Sequence, residues 1–366
     1  MSRPSGLRRP RRPARTSAFS AALAPSPQLR WVTLLLGTLL CSLLCSATCG
    51  GWSCAFGRCV KSSSPVKPSV KSVKDALSIV LVTSPIPSNP STQLLNTVIS
   101  SFDLIEGLEG CPLIMVADGI KLQEGRPKWN QGKISEERYQ LYLEYVDSLR
   151  SQYEDHAYHP AKVIGPLKKR VNFAHALLRG LEEVETEHVL VVQHDRVFAE
   201  RFSMSDVIEL FQQYQELRYV GFQTVPDYTT YAASKFGKWV RCALPEPGLI
   251  PCFMWYDSTH VCRTRQLAKL IEQEVKEGEF IESSYGCRLL AEIREKKDHW
   301  TWEYHMKNYG LFLFHPPSPT SLNPTSARPL VRHVSGRTFL SSEERLKRGW
   351  PGERPRVTRG TQEKGS

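Results

Sequence analysis

What the chain lacks narrows its function first. Its 366 residues contain no Cys-x-x-Cys pair, so the closely spaced thiolates of a structural zinc site are missing. No Gly-x-x-x-x-Gly-Lys-Ser/Thr loop occurs, and no Gly-x-Gly-x-x-Gly follows the first strand. The first absence excludes a P-loop enzyme and the second argues against a dinucleotide-binding domain. No internal repeat is present, which removes the solenoids and propellers. Acidic residues are absent from the first 74 positions, which carry eight Arg and four Lys. The net charge of +11 therefore belongs to the leader, whereas residues 75–327 hold 26 basic against 33 acidic side chains. A mildly acidic middle is a poor footprint for a polyanion, and nucleic acid is not an expected partner.

The leader divides into three. Residues 1–30, rich in Arg, Pro, Ser and Ala, are expected to be a disordered basic tail. Residues 31–49 form an uncharged, leucine-dense stretch whose most apolar part, Trp31 to Thr48, is 18 residues long, the lower end for a bilayer span. Residues 50–76 read as a Ser/Pro/Lys-rich stem. An arginine-rich head this long predicts a signal anchor with a cytosolic N-terminus; cleavage near Ala47 and an organelle transit peptide are the alternatives. A folded domain is expected over 77–327 and a basic tail over 328–366. Five cysteines lie in the span and stem (Cys41, Cys45, Cys49, Cys54, Cys59) and five in the domain (Cys111, Cys242, Cys252, Cys262, Cys287). In an oxidising compartment Cys242 and Cys252 are a candidate pair across a Pro-rich loop, and the stem cysteines are candidates for a disulfide-linked dimer or for acylation.

The domain alternates strands and helices. Leu77–Thr83, Pro112–Asp118, Lys162–Ile164 and His188–Gln193 read as strands. Between them the apolar spacing predicts helices over about 91–102, 135–153 and 172–185. Strands at 218–224, 250–256 and 309–314 and helices at about 264–276 and 281–296 complete a less regular second half. Such alternation requires an α/β fold with a mostly parallel sheet and helices on both faces. The run Val189–Val192 is unbroken and apolar and leads through Gln193 and His194 to the carboxylate Asp195, followed by Arg196. Ligands in open α/β sheets bind beyond the carboxyl ends of such strands. Asp195 is thus a candidate ligand for a metal or phosphate, with a turn cap as the alternative.

Two buried strands end in Asp, at 118 and 195, and the helix before the second opens Lys168-Lys-Arg-Val-Asn172-Phe-Ala-His. In this order the elements resemble the nucleotide-sugar-dependent glycosyltransferases of the GT-A fold, especially family 2-like members, over roughly residues 77–315. The resemblance implies a GT-A-like, Rossmann-related sheet in a single catalytic domain, with Asp118 on the donor base. Gln193-His194-Asp195 stands where the Asp-x-Asp metal motif would be, so Asp195 would bind Mn2+ or Mg2+ and Gln193, replacing the first Asp, would give a neutral oxygen or contact the ribose. Lys169, Arg170, Asn172 and Arg337 are candidates for the donor diphosphate. Among the late histidines His305, His315 and His333, the last two are candidate metal ligands, as in some members. An acidic base is implied at the start of a helix, where Glu282 stands, with Asp257 as the alternative. Trp300, Trp302 and Tyr304 are candidates either for stacking on a sugar or for the core.

The expected activity is sugar transfer, with inversion and metal assistance, from a nucleotide-sugar to a hydroxyl of a glycan, protein or lipid. Anchor, stem and domain in this order fit a single-pass type II protein of the Golgi or ER membrane. A sugar-phosphate nucleotidyltransferase and a non-catalytic carbohydrate-binding or scaffold protein are the competing readings, the latter because of Gln193.

Overall fold

The structure, a computed structural model, describes residues 72–242, 248–316 and 328–340, without the side chains of 130, 241, 242, 337 and 338. The expected tail, anchor and most of the stem lie outside the described residues. Among the described residues no helix is long and apolar enough to cross a membrane.

The chain forms β1 (Leu77–Thr83), α1 (Gln93–Ser100), β2 (Leu113–Ala117), α2 (Glu136–Tyr153), β3 (Ala161–Ile164), α3 (Asn172–Leu181) and β4 (His188–Gln193). Then follow β5 (Arg196–Phe198), α4 (Met204–Gln213), β6 (Tyr219–Phe222), α5 (Tyr228–Phe236), β7 (Leu249–Pro251), β8 (His260–Arg263) and α6 (Thr264–Glu274). A π-helical turn, Glu282–Gly286, leads into α7 (Cys287–Glu295), followed by α8 (Trp302–Asn308), β9 (Leu311–Phe314) and β10 (Val331–His333).

Eight strands make one sheet in the order β7-β9-β6-β8-β4-β1-β2-β3. Strands β3, β2, β1 and β4 are mutually parallel; β8 runs antiparallel to both β4 and β6, β9 parallel to β6, and β7 antiparallel to β9. The sheet is therefore mostly parallel, with β8 and β7 reversed. All seven residues of β1 are buried, as a central strand covered on both faces demands. Alternate residues serve two cores. Ile79, Leu81, Met115, Leu190 and Val192 pack with Phe102, Tyr142 and Tyr145, whereas Val80, Val82, Ile114, Val116, Val189 and Val191 pack with Phe173, Ala174 and Leu177 of α3. A Cβ at Gly180 would lie 2.5 Å from Val80 Cγ1, so the absence of a side chain lets α3 approach the sheet closely.

The second half holds helices α4 and α8 and the reversed strand β8 that have no counterpart in the expected order, and it departs from expectation at three further places. The strand expected to Tyr256 stops at Pro251, on the edge of the sheet where a residue without an N–H is tolerated. The stretch between the expected strands 218–224 and 250–256, to which no element is assigned, contains α5, whose start is capped by Asp227 accepting from the Thr230 N–H at 2.9 Å. Residues 328–340, read as the start of a basic tail, include β10, which pairs antiparallel with β5 in the register His333↔Arg196. The candidate Cys242–Cys252 bridge is also corrected. Cys252 is a buried free thiol that donates to the Met254 carbonyl at 3.1 Å.

Candidate active site

The carboxyl ends of β4, β6 and β9 and the start of the reversed β8 meet along one edge of the sheet. A cavity of about 290 Å3 opens there, lined among others by Gln193, Arg196, Gln223, Tyr228, Tyr231, Lys235, Tyr256, Asp257, Ser258 and Glu282. Its floor is the segment joining β7 to β8. Trp255 Nε1, Tyr256 OH, Asp257 Oδ1, Ser258 Oγ, Thr259 Oγ1 and His260 Nε2 are all buried without a hydrogen-bond partner among the described residues. Three of them, Tyr256, Asp257 and Ser258, face the cavity.

Two candidate carboxylates meet in this place. Asp257 is 5% exposed, and its Oδ2 accepts the main-chain N–H of Glu282 at 3.3 Å. Burial pushes its carboxyl up to about 7; the Glu282 N–H opposes that rise and the Glu282 charge adds to it. Glu282 opens the π-helical turn, is only partly buried, and presents its carboxylate to the cavity. Beneath them His260 is held neutral by burial, its pKa lowered to about 4, with Nδ1 on the Ser258 carbonyl at 2.6 Å.

The cavity is also lined by two cations, Arg196 and Lys235. Arg196 Nε donates to Gln193 Oε1 at 3.4 Å, which fixes the one on the other at the end of β4. Lys235, in the last turn of α5, donates to Tyr231 OH at 2.8 Å. Asp195 lies between Gln193 and Arg196, and its Oδ2 is 3.1 Å from His333 Nε2. Its main-chain carbonyl accepts from Val334 N, while Val331 N reaches the Gln223 carbonyl, so β10 straps the β4–β5 turn to the end of β6.

Asp118 is enclosed by main-chain donors. It is 2% exposed, and its carboxylate accepts from the main-chain N–H groups of Gly119 (2.7 Å), Val171 (3.0 Å) and Asn172 (3.1 Å). The carboxylate staples the 169–172 loop to β2. The loop lies close: a Cβ on Gly119 would sit 2.2 Å from the Lys169 carbonyl carbon. Asn172 takes φ +70 and donates from Nδ2 to the Gly278 carbonyl at 2.8 Å. It thus ties α3 to the turn that precedes Glu282. Lys169 pairs with Glu277 at the surface, and Arg170 contacts Asn172 Oδ1. None of Asp118, Lys169, Arg170 and Asn172 lines the cavity.

The remaining candidates separate. His315 does not join Asp195: its main-chain N–H bonds the Gly248 carbonyl, and Nδ1 faces Gln223 Nε2 at 3.5 Å. Among the described residues no three His, Cys, Asp or Glu side chains gather as a metal site, so the expected set of Asp195, His315 and His333 reduces to a pair. Arg337 lies in a short 3-10 turn, Gly336–Phe339, but its side chain is outside those described. Trp300 packs on Phe253, Trp302 on Phe312 and Tyr304 on Tyr309, so these aromatics are core rather than cavity. His305 is buried against the Leu311 carbonyl. The cavity's rings are instead Tyr219, Phe222, Tyr228, Tyr231 and Tyr256. Tyr228, Tyr231 and Lys235 escaped sequence reasoning. The Asp227 cap and their spacing at i, i+3 and i+7 were the signal.

No protein-family model matches the chain, and no curated protein matches it. Among solved structures, S. aureus TarS 1–349 is 11% identical with a TM-score of 0.40, over 71% of this chain and 60% of that one. The mannosyltransferase PcManGT from Pyrobaculum calidifontis, in complex with GDP-Man and Mn2+, is 10% identical with a TM-score of 0.34, over 53% of this chain and 46% of that one. TarS 1–349 in complex with UDP-GlcNAc is 12% identical with a TM-score of 0.32, over 53% and 47%. The chain thus spans about 60% of the TarS fragment it matches first, and the likeness assigns neither substrate nor site residue.

Proposed function

We propose that the domain is a nucleotide-sugar-dependent glycosyltransferase of GT-A type that transfers a sugar to a hydroxyl acceptor with inversion. The observation that carries the reading is that Asp257 and Glu282, joined by a hydrogen bond, line a cavity at the carboxyl edge of a mostly parallel sheet together with Arg196. Glu282 acts as the base, taking the proton of the acceptor hydroxyl as its oxygen attacks the anomeric carbon. Asp257 holds the Glu282 main chain in place and, by staying partly protonated near neutrality, limits the repulsion between two adjacent carboxylates. Arg196 neutralises charge developing on the departing nucleoside diphosphate, and Gln193 orients both Arg196 and the donor.

The fold family implies a divalent cation. Asp195 Oδ2 and His333 Nε2, 3.1 Å apart, offer an oxygen and a nitrogen close enough to share one ion. Such a mixed set would suit Mn2+, which accepts imidazole beside oxygen ligands. When bound, the ion would supply further neutralisation of the leaving diphosphate. The proposal extends to the leader as a type II anchor that places the domain in the lumen.

Release of nucleoside diphosphate from a panel of UDP- and GDP-sugars, with and without Mn2+, tests the reading. Turnover of at least one donor is expected, together with loss of donor binding in Asp195→Ala. No turnover of any donor and unchanged donor binding in Asp195→Ala would overturn it in favour of a non-catalytic binding protein.

A further inference from the structure

Lys235 stands out among the charged groups of the cavity. A lysine in the last turn of a helix is ordinarily a solvated charge with free rotamers. Lys235 is exposed yet lines the cavity, and its ammonium has aromatic neighbours there. It donates to Tyr231 OH at 2.8 Å and lies 5.3, 5.5 and 5.7 Å from the ring centres of Tyr231, Phe236 and Tyr256. Three rings, one of them through its hydroxyl, flank the ammonium without neutralising it. Among the described residues it has no carboxylate partner, although Asp257 and Glu282 line the same cavity.

The cavity's two cations stand on different walls. Arg196 belongs to the β4–β5 turn with Gln193 and Asp195, the side assigned to the donor diphosphate. Lys235 shares Tyr256 with the Asp257 side, where the acceptor hydroxyl must meet its base. An acceptor carrying negative charge would be repelled by Glu282 unless a cation balanced it, and Lys235 is the cation on that wall.

Resting on the reading of this cavity as the transfer site, we infer that Lys235 binds an anionic substituent of the acceptor, so that the acceptor class is an acidic sugar. An ammonium is a point charge without the planar fork that selects one anion geometry. The shared chemistry is therefore one negative group, supplied by the carboxylate of a uronic acid or by a sugar phosphate. The hydroxyl to be glycosylated then points along the floor toward Glu282, while the anion is anchored at α5.

Calorimetric titration of the full chain, without donor, tests this. The probes are glucuronic acid, its methyl ester, glucose 6-phosphate and glucose, with wild type, Lys235→Gln and Lys235→Arg. A charged sugar is expected to bind about tenfold tighter than its neutral counterpart, and the stronger of the two anions identifies carboxylate or phosphate. The advantage is expected to vanish in Lys235→Gln, with the affinity of the methyl ester retained, and to survive in Lys235→Arg. Equal affinity of charged and neutral sugars for wild type, an advantage that persists in Lys235→Gln, or no binding of any probe overturns the inference. Its failure is distinguishable from that of the transferase reading. Absence of diphosphate release from every donor sinks the latter and leaves this binding comparison intact, whereas turnover on neutral acceptors that is indifferent to Lys235→Gln sinks only the former.

Discussion

The main-chain N–H of Glu282 donates to Asp257 Oδ2 at 3.3 Å, so one carboxylate positions the residue that bears the other. The two are 25 residues apart in the chain and come from the connection before β8 and the turn before α7. Their meeting is a product of the fold.

The pair sets a pH dependence. Asp257 titrates near 7 in the folded protein, raised by burial from an ordinary value of 3.8. The folded state therefore holds this proton more tightly than the unfolded state, and the associated stability is fully present below pH 3.8 and lost as pH rises through 7. Asp257→Asn, which keeps the acceptor for Glu282 N–H, is expected to flatten the stability profile between those limits. Above pH 7 it should be more stable than wild type by up to a few kcal/mol. Urea denaturation of both proteins at pH 5 and pH 8 measures it, and parallel profiles would contradict the assignment.

Asp118 is predicted to be a staple. Asp118→Ala leaves three main-chain N–H groups without their acceptor and should cost on the order of 3 kcal/mol. Asp118→Asn should cost less, since one amide oxygen remains. If Asp118 instead held a donor base, Asp118→Ala would keep its melting temperature and lose donor affinity. Thermal unfolding alongside donor binding separates the two.

Asn172 sits at φ +70, where a side chain with a Cβ is strained and Asn is among the better tolerated. Asn172→Ala should destabilise by about 1–2 kcal/mol from the backbone and by about 1 kcal/mol more from the lost bond to Gly278. Asn172→Gly removes only the second contribution and should be the milder variant. Equal destabilisation would show that the left-handed backbone is not the source.

Asp195 and His333 are predicted to act together on a cation. Asp195→Ala should weaken Mn2+ binding by at least about tenfold, and His333→Ala should weaken it in the same direction. Because His333 belongs to β10, truncation before residue 328 should match the His333 variant or exceed it. Electron paramagnetic resonance of free Mn2+ during titration reads this directly, and full affinity in Asp195→Ala would contradict the pairing.

Much of the first half was legible in the sequence because one force dominates there. The strand β1 coincides with the apolar run Leu77–Thr83 and β4 with His188–Gln193, since strands buried on both faces leave little room for other residue types. Helix α2 begins close to the expected position, and there the Ser135 hydroxyl accepts from the Arg138 N–H. Asp257, Glu282 and Gln193 were recognised as candidates, and they share one cavity. Less was legible where long-range packing decides. Asp118 ends a buried strand just as Asp195 does, and nothing local reveals that the 169–172 loop folds over the one and leaves the other accessible. His315 and His333 look alike in sequence. Only the pairing of β10 with β5 brings His333, and not His315, to Asp195. Helix α5 was missed because Thr229, Thr230 and two tyrosines are weak helix formers that tertiary contacts override.

The central claim is that Glu282 removes the acceptor proton. Single-turnover transfer by Glu282→Gln, at saturating donor and acceptor, tests it most directly, with donor affinity measured on the same protein. The account predicts a rate lowered by at least about 100-fold with donor affinity and melting temperature close to wild type. Transfer by Glu282→Gln at the wild-type rate would contradict it.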